Sequence, residues 1–352
     1  MLRGTELRIQ NRFETTSLEA FDDGWDDRSC DSPEPMELPV VQTEFLPDHS
    51  KSILSKNDSP DLGFTYSVNV YRGCEHGCAY CYARPTHEYL GMNAGIDFES
   101  KIMVKHDAPQ LLREAFEKRS WQPQYIMMSG NTDCYQPAER EFGITRKMLE
   151  VFLDYRNPVG IITKNALILR DCDLLTEMAK LHLVSVFFSI TTLDRDLSRK
   201  LEPRTSTPER RLHALRTLAE AGVPTGVMIG PAIPGLNDEE IPAILRAARE
   251  AGAKSAGYNM VRLPYAVRPI FEEWLAKNVP LEAKKIMARI QMVRDGKMND
   301  PEFGSRMRGT GGYADYIKEL FRKTCKRLGL NEERSHLTTE HFRRPSAMTL
   351  FD

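Results

Sequence analysis

The chain has no apolar run approaching the roughly 20 residues that a membrane-spanning helix needs. Its first residues, Met1-Leu2-Arg3-Gly4-Thr5-Glu6, lack the apolar core of a secretory signal. It also lacks a dispersed, even-numbered set of cysteines: there are seven, and three of them cluster at Cys74, Cys78 and Cys81. An odd, clustered set argues against a disulfide framework and for a reducing compartment, so a cytoplasmic protein with no membrane contact is expected. Net charge is nearly absent, at −2, but it is unevenly spread. Residues 1–60 carry 6 basic and 13 acidic side chains, whereas residues 284–345 carry 15 basic and 8 acidic ones. A basic end suits a phosphate-rich partner, although interleaved acids favour a solvated helical tail. Residues 1–60 also lack periodicity. Asp22-Asp23-Gly24-Trp25-Asp26-Asp27 and Ser32-Pro33-Glu34-Pro35 read as loop or disorder, Cys30 as a lone free thiol, and Glu44–Pro47 and Ser52–Leu54 as anchors onto a core.

From residue 61 the pattern changes to alternating strand and helix signals. Apolar strand-like runs lie at Phe64–Tyr71, Tyr125–Ser129, Val159–Thr163, Leu183–Ile190, Pro224–Ile229 and Ser255–Met260. Helical spacing lies between them, at Ala108–Lys118, Ala138–Tyr155, Ala166–Leu181, Pro208–Ala221 and Asn237–Ala251, with Gly222 and Gly252 as stop signals after the last two. Six βα units with fully apolar strands predict a parallel sheet with helices outside. Right-handed crossovers curl such a sheet into a partial (β/α)6 barrel of the TIM type. The expected organisation is an acidic, loop-rich arm (1–60), the barrel (61–268) and a helical, basic extension (269–352). In the extension, helices are predicted around 270–275, 281–293 and 313–328, with a Gly/Arg/aromatic loop (Asp300–Tyr313) between the last two; the extension is expected to cap the open side of the barrel.

The first strand runs into Gly73-Cys74-Glu75-His76-Gly77-Cys78-Ala79-Tyr80-Cys81-Tyr82-Ala83-Arg84. The spacing C-x3-C-x2-C, punctuated by two glycines, describes a loop at a strand end with three thiolates converging on one point. Structural zinc and ordinary iron–sulfur clusters take four protein ligands, so three leave a metal position open to a small molecule. A zinc site remains possible on spacing alone, with His76, His87 or Cys134 as fourth ligand.

C-x3-C followed by x-aromatic-C after a first strand resembles the signature of radical S-adenosylmethionine (SAM) enzymes. Cys81-Tyr82-Ala83-Arg84 and Ser129-Gly130-Asn131-Thr132-Asp133 resemble the branch that includes spore photoproduct lyase. The resemblance covers about residues 60–265. It implies a [4Fe–4S] cluster on Cys74, Cys78 and Cys81, with the fourth iron binding SAM, and an external reductant such as flavodoxin or ferredoxin. It also implies cleavage of SAM to methionine and a 5′-deoxyadenosyl radical that takes a hydrogen atom from a substrate. Tyr80 matches the family's aromatic.

In partial barrels the chemistry sits at the C-terminal strand ends. The resemblance places Thr132 and Asp133 at the SAM amino group and Lys164 at SAM. It assigns Arg204 to the SAM carboxylate, with Glu202 orienting it. Ser189 is a candidate for the ribose, and Gly230 and Pro231 for the adenine. Gly130 stands where the lyase carries a hydrogen-donating cysteine, which leaves Cys134 and Tyr82 as candidate catalytic residues. The residues do not name the substrate: a nucleic acid or nucleotide, a small molecule and a peptide are the candidate classes. DNA photoproduct repair, a zinc scaffold and a nucleic-acid-binding protein using the basic tail are the alternatives.

Overall fold

The structure is a computed structural model that describes residues 3–14, 41–333 and 336–345. The acidic stretches at 22–27 and 32–35, and Cys30, lie outside the described residues. Ten strands are described: β1 (Glu44–Pro47), β2 (Leu54–Lys56), β3 (Tyr66–Val68), β4 (Tyr71–Arg72), β5 (Lys101–Val104), β6 (Ile126–Met128), β7 (Val159–Thr163), β8 (Val184–Ser189), β9 (Thr225–Ala232) and β10 (Ser255–Met260). The helices between them are α1 (Ile96–Ser100), α2 (Ala108–Glu117), α3 (Glu139–Phe142), α4 (Ile144–Tyr155), α5 (Cys172–Lys180), α6 (Arg195–Leu201), α7 (Pro208–Glu220) and α8 (Ile241–Glu250). After β10 come α9 (Val267–Asn278), α10 (Ala283–Met292) and α11 (Gly311–Leu328).

The main sheet has the order β10-β9-β8-β7-β6-β3-β2. Its six strands from β3 to β10 pair in parallel, as the apolar runs predict, and β2 closes one edge antiparallel to β3. This is the partial (β/α)6 barrel. Helix starts follow local chemistry: the Thr207 side chain accepts from the Arg210 amide with Pro208 in the first turn of α7, and Asp194 accepts from Asp196 and Leu197 at the start of α6.

Several local readings are corrected. The predicted first strand splits, because β4 peels away to pair antiparallel with β5, and β5 pairs with β1 in a separate three-stranded sheet. Residues 44–56 therefore contribute strands to both sheets. The single helix expected over 138–155 breaks at Gly143, whose φ of 60° ends α3, and the buried Glu139 carboxylate then accepts from the Thr145 amide at the start of α4. After the cysteine loop, where the alternation of strands and helices gave no element, come a 3-10 helix, Arg84–Leu90, and then α1.

The extension divides its contacts. Helices α9 and α10 pack Phe271, Trp274, Ile286 and Ile290 against Cys78, Ala79 and Tyr80, forming a second core over the cysteine loop. The segment 336–345 runs under the opposite end instead. Thr338 donates to the His182 carbonyl, Arg343 to the Tyr155 and Asp154 carbonyls, and Arg344 to the Phe116 and Lys118 carbonyls, all ahead of strand N-termini. Among the described residues, capping is thus done by α9 and α10 and not by the segment 336–345. At the lower end, fully buried Phe116 meets the rings of Trp121, Phe152, Tyr155 and Phe342 at centroid distances of 5.3 to 6.1 Å. Phe116→Ala is expected to lower unfolding stability by about 3–5 kcal/mol, read as a reduced urea midpoint with an unchanged denaturant slope.

Candidate functional site

The loop carrying the three cysteines is held from beneath by a buried ion pair. Arg84 is fully buried and donates twice to the Cys78 carbonyl, at 3.1 and 3.0 Å, and also to the Ala94 and Gly95 carbonyls. Its charge is met by Glu99 at 2.5 Å, also fully buried. A buried charge persists only when paired and hydrogen-bonded, and here the pairing fixes one carbonyl of the loop. Each residue between Cys74 and Cys78 is tied elsewhere. Glu75 takes Arg204 at 2.9 Å and the Thr43 hydroxyl at 2.9 Å, and its amide donates to Gln136. His76 lies with Nδ1 3.5 Å from Asp133 and Nε2 3.4 Å from the Asn165 amide nitrogen. Gly77 has a φ of 65°, and a Cβ there would meet a Glu99 oxygen at 2.6 Å, so the position takes glycine on both counts.

Cys74 and Cys78 are buried and Cys81 is partly exposed. Burial pushes the Cys74 and Cys78 thiols up, and Asp133 (for Cys74) and Glu202 (for Cys78) add to it, as does Cys81 for both. Such thiols become ligands only beside strong positive charge, which a metal group supplies. Among the described residues no group of three or more His, Cys, Asp or Glu is drawn together as one ion requires. Cys74, Cys78 and Cys81 lie close enough to act on one another's charge; structural zinc takes four protein ligands, whereas three thiols leave one iron of a cluster open, so the donor set fits a cluster. The fourth zinc ligands suggested by the sequence are turned elsewhere. His76 faces Asp133 and Asn165, His87 Nε2 faces the Lys101 carbonyl at 2.9 Å, and Cys134 is in the main core.

The strand ends meet this loop through a second buried pair that the sequence did not single out. Glu202 is bonded by Arg211, by the Tyr80 hydroxyl and by Thr191 at 2.6 Å, and Arg211 also donates to the Ser189 carbonyl at 2.8 Å. Burial pushes the Glu202 carboxyl up, but Arg211, Lys164, Thr191 and Tyr80 outweigh it and hold it below the usual carboxylate range. Glu202 thus orients Arg211, not Arg204. Arg204 is engaged with Glu75, so its guanidinium is not the free fork that a SAM carboxylate needs. Lys164 faces the same centre: burial opposes its charge, yet Cys78, Glu202 and Asp133 hold its ammonium above the ordinary value.

The remaining predicted residues are each held by neighbours. The Asp133 carboxylate accepts from the Thr163 hydroxyl at 2.8 Å, the Lys164 amide at 2.7 Å and the Tyr135 amide at 2.9 Å, clamping the ends of β6 and β7 together. Thr132 donates to the Tyr71 carbonyl at 2.8 Å and keeps its lone pairs. Ser189 donates to the Gly230 carbonyl at 3.2 Å, and Asn237 donates to the Thr191 and Pro231 carbonyls, which orders the loop after β9. Tyr82 is 47% exposed at the mouth and donates to the Gly130 carbonyl. Cys134 is corrected as a catalytic candidate: the turn at Ser129, φ 72°, sends Asp133 to the mouth and Cys134 into the core. Periodicity gave no sign of Arg211, because an arginine on a helix face normally reads as solvated. Arg211→Met is expected to destabilise the fold by about 3–5 kcal/mol by stranding Glu202. Adding Glu202→Gln should recover most of that loss, measured by a double-mutant cycle in urea.

Comparison with known proteins bears on this geometry. The model of the radical SAM superfamily matches residues 68–248. An uncharacterized protein of Mycobacterium tuberculosis is 34% identical over 262 residues, which cover 73% of this chain and 76% of that protein. An uncharacterized protein of Methanocaldococcus jannaschii is 34% identical over 178 residues, 51% of this chain and 64% of that one. Among solved structures, spore photoproduct lyase complexed with dinucleoside spore photoproduct aligns with a TM-score of 0.59 at 16% identity, over 81% of this chain and 80% of that one. At that identity the likeness speaks for the fold, and the family model for the kinship. The chain belongs to the radical SAM superfamily, and is an enzyme whose cofactors are a [4Fe–4S] cluster and SAM.

Proposed function

We propose that Cys74, Cys78 and Cys81 hold the cluster, that SAM lies across the ends of β6 to β9, and that the enzyme abstracts hydrogen from a base-bearing substrate, a nucleic acid or nucleotide. The observation that carries the first part is the three-thiol loop, fixed by Arg84 and Glu99 at the C-terminal strand ends. When bound, the cluster and SAM supply one-electron reductive cleavage and a hydrogen-abstracting carbon radical; the electron comes from an external donor of the flavodoxin or ferredoxin kind. The chain's own groups bind and orient. Lys164, not Arg204, is the cation proposed for the SAM carboxylate, because it follows β7 at the strand ends and Cys78, Glu202 and Asp133 favour its charged form. Thr132 accepts from the SAM amino group through its remaining lone pairs, while Asp133 acts by holding Thr163 and the Lys164 backbone in place. Ser189, Gly230 and Pro231 form the ribose and adenine side. Helices α9 and α10 exclude water from the loop.

The substrate class rests on the rim. Arg262 lies 5.4 Å from the Tyr82 ring, Arg12 lies 3.8 Å from the Tyr265 ring, and Arg306 lies 4.4 Å from the Phe303 ring. All three rings are largely exposed. Exposed rings suit stacked bases; Arg12 and Arg306 are held by Glu88 and Asp61, so Arg262 is the guanidinium proposed for a phosphate. The Gly/Arg/aromatic loop predicted at 300–313 contributes the exposed ring of Phe303, while Arg306 ties that loop to Asp61.

Anaerobic reconstitution, reduction and addition of SAM should yield 5′-deoxyadenosine from the wild type and none from Cys78→Ala; equal yields would sink the cysteine assignment. Lys164→Met is expected to raise the Kd for SAM about tenfold or more. Tyr82→Ala is expected to weaken single-stranded oligonucleotide binding about 5- to 150-fold, and wild-type binding should weaken steeply with salt. No oligonucleotide binding at low salt would redirect the substrate reading.

A further inference from the structure

The N-terminal residues, outside the stretch matched by the family model and without any chemistry legible in their sequence, lie directly on the cysteine loop. The Gly4 amide donates to Glu99 Oε2 at 2.8 Å, on the same carboxylate that pairs with Arg84. A Cβ built on Gly4 would overlap the Gly77 carbonyl oxygen, so the two backbones touch with no room for a side chain. Arg3 donates to the Glu99 carbonyl at 2.5 Å, to the Thr43 hydroxyl at 3.0 Å and to the Val41 carbonyl at 3.0 Å. Thr43 in turn donates to Glu75 inside the C-x3-C loop. Thr5 donates to Glu273 of α9 at 3.2 Å, and the Leu7 carbonyl accepts from the Ile96 amide at 3.1 Å. The segment thus crosses the loop from the β1 side to α9, with backbone contact at Gly77.

We infer that residues 3–7 are a strap that positions the C-x3-C loop and closes it to solvent, with Arg3 and Gly4 as positioning residues for the cluster. This rests on the cysteine assignment proposed above. The physical ground is the shared carboxylate. Glu99 accepts from Arg84 below and from Gly4 above, so the Cys78 carbonyl and the strap are coupled through one buried group. Releasing the strap leaves Glu99 with one partner fewer and exposes Gly77 on its outer side, which raises the local opening of the loop.

The test uses the full chain in three arms. In the metal-free wild type, the amides of Gly4 and of Gly77 to Ala79 should be protected from hydrogen exchange together, in one cooperative unit. In Arg3→Met and Gly4→Ala, exchange at Gly77 to Ala79 should quicken about tenfold, with Arg3→Lys closer to wild type. After anaerobic loading, both variants should hold as much iron and sulfide as the wild type, but their visible cluster absorbance should bleach in air about tenfold faster. Free exchange of the Gly4 amide in the wild type overturns the strap, as does wild-type exchange and bleaching in Arg3→Met. Arg3→Met adds no atom at the Gly4 contact, so it decides the matter if Gly4→Ala fails to fold, and the wild-type exchange pattern decides it without any variant. A wild type that binds no cluster would defeat the cysteine assignment yet leave the exchange result standing, so the two failures are distinguishable.

Discussion

The buried pairing of Arg84 with Glu99 is the constraint on which the rest of the site depends. Two opposite charges with no exposed surface are tolerable only because nearly every donor and acceptor is used. Arg84 places its nitrogens on the Cys78, Ala94 and Gly95 carbonyls, and Glu99 takes Arg84 and the Gly4 amide. The pair therefore fixes where Cys78 sits relative to α1 and to the N-terminal segment. Without it, a loop punctuated by Gly73 and Gly77 would have many conformations of similar energy.

Above that foundation the mouth is organised by a second buried carboxylate. Glu202 gathers Arg211, Tyr80 and Thr191, and so joins the cysteine loop, the end of β8 and the start of α7. Asp133 does the same for β6 and β7. Both acidic groups serve the scaffold, and both also favour the charged form of Lys164 at the end of β7. The chemistry of the superfamily asks for thiolates and a radical kept from water. The packing of α9 and α10 on Cys78 to Tyr80 serves that need with apolar surface rather than with charge.

Much was legible from residue order. Strand and helix alternation is a local signal, and the six parallel strands and most helix ends fall within a few residues of where periodicity puts them. The C-x3-C-x2-C loop is local too. Less legible were the interruptions: Gly143 splitting one apolar-periodic stretch into α3 and α4, and the departure of β4 to a second sheet. In both cases a tertiary contact, the hold of Tyr71 and Arg170 on the Glu139 carboxylate or the pairing of β4 with β5, outweighs a weak intrinsic preference.

The sequence by itself carried the fold class, through the alternation of strand and helix signals, and the resemblance to the family, through the C-x3-C-x2-C spacing, because each is a pattern among residues near one another in the chain. Only the tertiary structure decided who pairs with whom. Glu202 goes to Arg211 rather than Arg204, Arg204 goes to Glu75, Cys134 turns inward, and Gly4 lands on Gly77. These choices join residues far apart in the chain or on opposite faces of a turn. Their outcome is set by desolvation: a buried charge takes whichever partner the packed elements bring within hydrogen-bonding distance, and no local pattern encodes that distance.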